Sequence, residues 1–228
     1  DVCSSDLFSI PVTAESWLVA DEDGKIIQSE NASEVRAIAS ITKLMNAMVV
    51  IDARQSMDEK IGQFTRLQLL LMSLVHSDNN AAKALCNAYP GGNYACIRDM
   101  NRKAEALGME NTKFVEASGL SHMNISTGHD LIKLVLAAKE YPLIVEASTS
   151  PDIKVRVKKR VLVYNNTNPI IRKHPEDFIV SKTGYNRASG GSIVMMVKKG
   201  VEKRIVVLLG SKTTKTRIPE AEFIAAAY

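Results

Sequence analysis

The sequence predicts an α/β fold of the α+β type: one antiparallel sheet assembled from both ends of the chain, helices packed on it, and a helical lobe inserted between. Three observations lead there. Strand-like apolar patterning appears near residues 16–29 and again beyond residue 153, and helical spacing fills the middle. The 228 residues, 46% hydrophobic, suffice for one large core, and no obvious linker divides them.

In order, "ESWLVADEDGKIIQSEN" reads as strand, acidic Gly-containing turn and strand, from about Ser16 to Ser29. Residues 38–53, "IASITKLMNAMVVIDA", repeat apolar side chains at helical spacing through Ile41, Leu44, Met45, Met48, Val49 and Ile51. A second helical region, "FTRLQLLLMSLVHSDNNAAKALCNAY", is interrupted between His76 and Asn80, where polar residues break the apolar stripe. "IRDMNRKAEALGM" is an amphipathic helix stopped by Gly108. "STGHDLIKLVLAAKEYP" is another, capped by Ser126 or Thr127 and ended before Pro142. The inserted lobe therefore spans roughly residues 54–150. From about residue 153 the period changes to two in "IKVRVKKRVLVY", and "FIVSKTGY", "GSIVMMVKK" and "KRIVVLLGS" read as further strands before a last helix from about Pro219 to Tyr228.

A net charge of +4, from 29 basic and 25 acidic residues, is too balanced to argue for nucleic acid, and Trp17 alone offers no stacking platform. No apolar run is long enough to span a bilayer. The start has neither the basic flank nor the apolar stretch of a signal peptide. Residues 1–7, "DVCSSDL", resemble the translated read-through of a common sequencing adapter, so they read as a non-native leader before a single domain at 8–228. Setting Cys3 aside leaves Cys86 and Cys96 on either side of "NAYPGGNYA". They form either a bridge, in an oxidising compartment, or two small buried thiols. No further Cys and no paired His supplies a zinc ligand set.

Lys43 is the anomaly of the first helix, because an unpaired ammonium among apolar residues costs several kcal/mol unless it is partnered or deprotonated. Ser40 lies three positions earlier, on the same helical face. A desolvated lysine beside a serine can act as a general base, and a helix start favours negative charge developing on the serine oxygen. The bland alternative is a capping serine and a snorkelling lysine. Two further groups follow in order. "SDN", Ser77 to Asn79, falls at the break in the helical region, and "KTG", Lys182 to Gly184, ends an apolar strand. Gly184 would admit a substrate backbone close to that strand, while Lys182 and Thr183 would offer a charge and a hydroxyl to a carboxylate. "SEN" at Ser29 also fits Ser-x-Asn but precedes the nucleophile and is discounted.

These three elements in this order resemble the penicillin-recognising serine acyltransferases, that is, the penicillin-binding proteins and class A β-lactamases. "NASEVRAIASITKLMNAMVVIDA", "YPGG", "MNRKAEALGMENTKFVEASGLS", "NNTNPIIR" and "SKTGY" extend the resemblance to the D-alanyl-D-alanine endopeptidase and carboxypeptidase branch of the low-molecular-mass penicillin-binding proteins, the endopeptidase group most of all. The resemblance implies a β-lactamase/transpeptidase-like fold. It also implies that Ser40 attacks the penultimate D-alanine carbonyl with Lys43 as base, that Ser77 relays the proton towards the leaving amine, and that Asn79 binds the substrate backbone. Lys182 and Thr183 would hold the relay group and the substrate's polar groups, and the backbone N–H groups of Ser40 and Tyr185 would form the oxyanion hole. Water would then hydrolyse the acyl-enzyme without metal or organic cofactor. The implied partners are peptidoglycan stem peptides and cross-links, with β-lactams as covalent inhibitors, and the implied location is periplasmic or otherwise extracytoplasmic, behind a signal peptide missing from this start.

Between Lys43 and Ser77 the chain is shorter than the family pattern, as though a strand and loop after "MDEKI" were missing. A displaced catalytic group can cost about a hundredfold in rate, so a catalytically impaired peptidoglycan-binding relative is one alternative. A class A β-lactamase is the other, but it needs a carboxylate in a Glu-x-x-Leu-Asn loop, and the nearest string, "EASGL" at Glu116, lacks the Asn. The remaining histidines show no metal spacing, and no Gly-x-Ser-x-Gly supports a Ser-His-Asp hydrolase. The basic alternation Lys154, Arg156, Lys158, Lys159 and Arg160 reads as a solvated strand face able to meet peptidoglycan carboxylates, and "VMMV" reads as core.

Overall fold

The computed structural model describes residues 12–228, so the adapter-like stretch 1–7 and Cys3 lie outside the described residues. The chain opens with the hairpin β1 (Ser16–Ala20) and β2 (Ile26–Glu30). A short strand β3 (Arg36–Ala37) and a 3-10 turn (Ala39–Ile41) lead into α1 (Thr42–Asp52). A small hairpin, β4 (Lys60–Ile61) and β5 (Phe64–Thr65), precedes α2 (Arg66–Val75), α3 (Asn79–Asn87) and α4 (Gly92–Ala106). Then come β6 (Ile125–Ser126), which pairs with β3, and the helices α5 (Gly128–Ala138) and α6 (Pro142–Ser148). The hairpin β7 (Asp152–Val157) and β8 (Arg160–Asn165), the strands β9 (Phe178–Asn186), β10 (Gly190–Lys199) and β11 (Glu202–Ser211), and α7 (Arg217–Ala227) complete it.

The five-stranded sheet runs β2-β1-β11-β10-β9 and is antiparallel throughout, with the N-terminal hairpin added to the last strand through pairs such as Trp17 with Leu208. Both ends of the chain therefore build one sheet, and β9 lies at its edge. Successive strand side chains point to opposite faces. Leu18, Ala20, Val194, Met196, Val207 and Leu209 pack with α1 and α5, while Trp17, Val19, Ile193, Met195, Val206 and Leu208 pack with Ile218, Ala221 and Ile224 of α7. Helices thus cover both faces. Because α1 is enclosed by the sheet on one side and helices on the other, every residue from Thr42 to Val50 is buried, polar ones included. Among the described residues no helix is long and apolar enough to cross a membrane.

The structure departs from the sequence expectation in four places. The helix read over 38–53 is split: Ala39 has φ +46°, a left-handed conformation that an α-helix cannot contain, so Ser40 sits in a 3-10 turn before α1. The helix before Pro142 ends as expected, but Pro142 then starts α6 at its first position, where its missing N–H costs nothing. The stretch 153–164 is a hairpin apart from the main sheet, turning at Lys158, whose φ is +52°. The helical lobe is also discontinuous, because α5 returns to the sheet, where Gly128 lets its start approach Leu18. Cys86 and Cys96, left open between bridge and thiols, are joined by a disulfide that ties α3 to α4 across the Pro90–Gly91–Gly92 turn.

Candidate active site

Lys43 does not snorkel. Its side chain is fully buried, and its Nζ donates to Ser40 Oγ at 2.6 Å, Asn79 Oδ1 at 2.7 Å and the Ser118 carbonyl at 2.8 Å. The three acceptors come from the 3-10 turn, the start of α3 and the loop after α4, so the fold surrounds the amine completely. Burial pushes its pKa down to about 7; Glu116 and Asp78 oppose that fall, and Lys83 adds to it. Near neutrality much of Lys43 is therefore free amine beside a serine hydroxyl, as a general base requires.

Ser77 occupies the break between α2 and α3, in a left-handed conformation at φ +61°. Asp78 caps α3 by accepting from the Ala81 N–H at 2.8 Å, which turns the chain sharply enough to present Ser77 and Asn79 towards Lys43 and Lys182. Lys182 Nζ donates to Ser77 Oγ at 2.9 Å and to the Thr183 carbonyl at 2.9 Å. It is buried, and burial first, then Lys43 and Arg217, hold its pKa well below the usual lysine range. Two linked hydroxyl–amine pairs, Ser40 with Lys43 and Ser77 with Lys182, thus face one site. Such an arrangement can take a proton from one oxygen and deliver one to a leaving group from another.

Gly184 lies against the turn that holds Ser40. A Cβ there would lie 3.0 Å from the Ile38 carbonyl oxygen and 3.1 Å from the Ser40 nitrogen, so its bare backbone lets β9 abut the Ser40 turn. Tyr185, the next residue, is exposed at the edge of the sheet beside that turn. The Asn79 carbonyl oxygen accepts from Lys43, a contact that the sequence did not announce. Thr183 Oγ1 lies 2.6 Å from Thr167 Oγ1, which orients the Thr183 hydroxyl.

Several contributors have no motif. Glu116 is the centre of the loop that faces Lys43: its carboxylate accepts from Ser118 N–H at 2.8 Å, Ser118 Oγ at 2.7 Å, Gly119 N–H and Asn124 Nδ2 at 3.1 Å. That network aims the Ser118 carbonyl at Lys43 and presses Gly119 (φ +93°) on Ala39, whose carbonyl oxygen would be 1.9 Å from any Cβ at 119. Asn46, one turn after Lys43, donates to the Ala82 and Ala117 carbonyls at 3.1 and 3.0 Å and so ties α1 to α3 and the loop. Arg217, whose pKa burial lowers to about 10, donates to the Gly184 carbonyl at 2.7 Å from α7. The run "EASGLS" carries an acid before a Gly turn, the one local signal that could have flagged the loop; Arg217 has none.

The family described as peptidase S11, D-alanyl-D-alanine carboxypeptidase, matches residues 5–61 and 56–213. The two stretches meet at the segment before β5, where the sequence reads as shortened, yet α2 still carries Ser77 into the site. The D-alanyl-D-alanine endopeptidase of Pseudomonas aeruginosa is 39% identical over 203 residues, 79% of this chain and 66% of that one. Its counterpart in Escherichia coli strain K12 is 40% identical over 207 residues, 81% of this chain and 67% of that one. The chain spans about two thirds of the length of these relatives. Penicillin-binding protein D2 from Listeria monocytogenes, in its ampicillin-bound form, superposes with a TM-score of 0.85 at 26% identity, over 95% of this chain and 97% of that one. A family match running through nearly the whole chain, with relatives at 39% and 40% identity, means that the chain belongs to the peptidase S11 family of D-alanyl-D-alanine carboxypeptidases.

Proposed function

We propose that the protein is a serine D-alanyl-D-alanine peptidase that cuts peptidoglycan peptides through an acyl-enzyme, as an endopeptidase in preference to a carboxypeptidase. The observation that carries this is the Lys43 amine, 2.6 Å from Ser40 Oγ with a pKa near 7. Neutral Lys43 takes the Ser40 proton as Oγ attacks the penultimate D-alanine carbonyl. The oxyanion is held by the backbone N–H groups of Ser40 and Tyr185; such donors typically contribute a factor of about 100 to 1,000. Ser77, held by Lys182, relays that proton from Lys43 to the departing amine, so that Lys43 is again neutral and Ser77 keeps a hydroxyl, and water then releases the acyl group from Ser40. Asn79 keeps its amide N–H groups for the substrate backbone while its oxygen fixes Lys43. Lys182 and Thr183 meet the polar groups beyond the scissile bond.

The endopeptidase preference rests on the endopeptidase names of the relatives at 39% and 40% identity, against 26% for a carboxypeptidase of Bacillus subtilis. A peptidoglycan substrate implies work outside the cytoplasm, in the periplasm, where the Cys86–Cys96 bridge would persist. β-Lactams, as mimics of the acyl donor, would acylate Ser40 and leave slowly, because the Glu116 carboxylate is occupied by its own loop and is not free to activate water. The test is intact-protein mass after incubation with a penicillin, beside Ser40→Ala. A lasting adduct on the parent alone, followed by cleavage of cross-linked muropeptides, is the expected result. Rapid drug hydrolysis would instead mean a β-lactamase, and an untouched drug would overturn the catalytic reading.

A further inference from the structure

The β7–β8 hairpin holds a concentration of charge that the catalytic site does not use. Residues 152–165 contain Lys154, Arg156, Lys158, Lys159 and Arg160 against the single acid Asp152, a net charge equal to the +4 of the whole chain. The rest of the protein is therefore neutral on balance. All five cations are exposed, and none belongs to an ion pair among the described residues, whereas Arg36, Arg66, Arg98, Lys103 and Arg204 each have a carboxylate partner.

Register gives these cations a pattern. Lys154 stands opposite Val163 and Arg156 opposite Val161, all four pointing outward, while Val155 and its inward neighbours pack against the core. Two exposed valines framed by cations are too small an apolar patch for a membrane but suit an extended peptide carrying carboxylates. The strip adjoins the catalytic groups. The Asn165 carbonyl lies 3.1 Å from Nδ1 of His76, the residue before Ser77, and Thr167 N–H donates to the Val75 carbonyl while its hydroxyl meets Thr183. At its other end the hairpin turn borders a cleft of about 570 Å³ shared with Gln63, just past residues 56–61, where the two matched stretches of the family meet.

We propose that the outer face of the β7–β8 hairpin is a second substrate-binding surface, which holds carboxylate-bearing peptide strands of the polymer next to the strand being cut at Ser40. The identity of that polymer as peptidoglycan rests on the proposed function. A six-residue strand reaches about 20 Å, so a polymer gripped along it keeps its neighbouring peptides close to the site after each cut.

The experiment compares the parent with the variant Lys154→Gln/Arg156→Gln/Lys158→Gln/Lys159→Gln/Arg160→Gln, both carrying Ser40→Ala, for co-sedimentation with purified peptidoglycan sacculi at low and high salt. The expected result is binding weakened tenfold or more in the variant at low salt, with the difference vanishing at high salt, since exposed charges are screened. The same variant with Ser40 intact should be acylated by penicillin at the parental rate, which establishes that it folds; should it not fold, the turn variant Lys158→Gln/Lys159→Gln takes its place with a smaller loss expected. Equal binding by parent and variant overturns the proposal. So does equal charge-dependent binding to anionic phospholipid vesicles, which would mark a membrane surface. Failure of penicillin to acylate the parent would instead strike the catalytic reading, while a salt-sensitive loss of sacculus binding would still support the hairpin surface.

Discussion

If Lys43 is the base, acylation by a penicillin must follow its deprotonation. With a pKa of about 7 rather than the ordinary 10.5, half of the lysine is neutral at neutral pH, and each pH unit below that reduces the neutral fraction about tenfold. The second-order acylation rate constant should therefore rise with pH to a midpoint near 7 and flatten above it, with about a hundredth of the plateau remaining at about pH 5. A fluorescent penicillin followed by stopped flow between about pH 5 and about pH 9 reads this directly. Glu116→Gln sharpens the test. Glu116 is the largest charge favouring protonated Lys43, ahead of Asp78, with Lys83 opposing; its neutralisation should lower the lysine pKa and move the limb to lower pH. A merely structural role for Glu116 would lower the plateau and leave the midpoint in place. A flat profile across the range, a midpoint near 10, or a limb displaced to higher pH in the variant would refute the assignment of Lys43.

Three further outcomes follow from the geometry. Lys182→Ala removes the donor 2.9 Å from Ser77 Oγ and should slow turnover of a D-alanyl-D-alanine peptide by about 10²–10⁴, measured as kcat/KM, with the fold unchanged by circular dichroism. Gly184→Ala places a Cβ 3.0 Å from the Ile38 carbonyl oxygen and 3.1 Å from the Ser40 nitrogen, so it should displace the Ser40 turn and slow penicillin acylation by about a hundredfold; a parental rate would mean that β9 does not hold the turn. Reduction of Cys86–Cys96, ten positions apart, should lower stability by about 3 kcal/mol on a chain-entropy basis, read from urea midpoints with and without reductant; an unchanged midpoint would mean that the helical lobe does not depend on the bridge.

Much of the fold follows from local pattern. Period-two runs at both ends and helical spacing between them are properties of the chain itself, so the sheet built from both termini and the break between His76 and Asn80 could be read directly, and the cap narrowed to Ser126 or Thr127, of which Thr127 accepts from the Asp130 N–H. The three short groups at Ser40, Ser77 and Lys182 could be picked out as well, Lys43 as a charge within an apolar helix and the three together by their order, which resembles that of the penicillin-recognising enzymes. What the sequence could not reveal depends on packing between distant segments. Whether α1 buries Lys43 or lets it reach water depends on the sheet and helices around it, and its lowered pKa exists only in that enclosure. Glu116, Asn46 and Arg217 reach the site through hydrogen bonds from other segments, the last across 33 positions, and no local period marks such contacts. Gly184 could be recognised as a close approach, but only the folded chain showed that the Ser40 turn lies against it. Local chemistry is written along the chain, whereas burial and the pairing of charges arise when remote segments exclude water together.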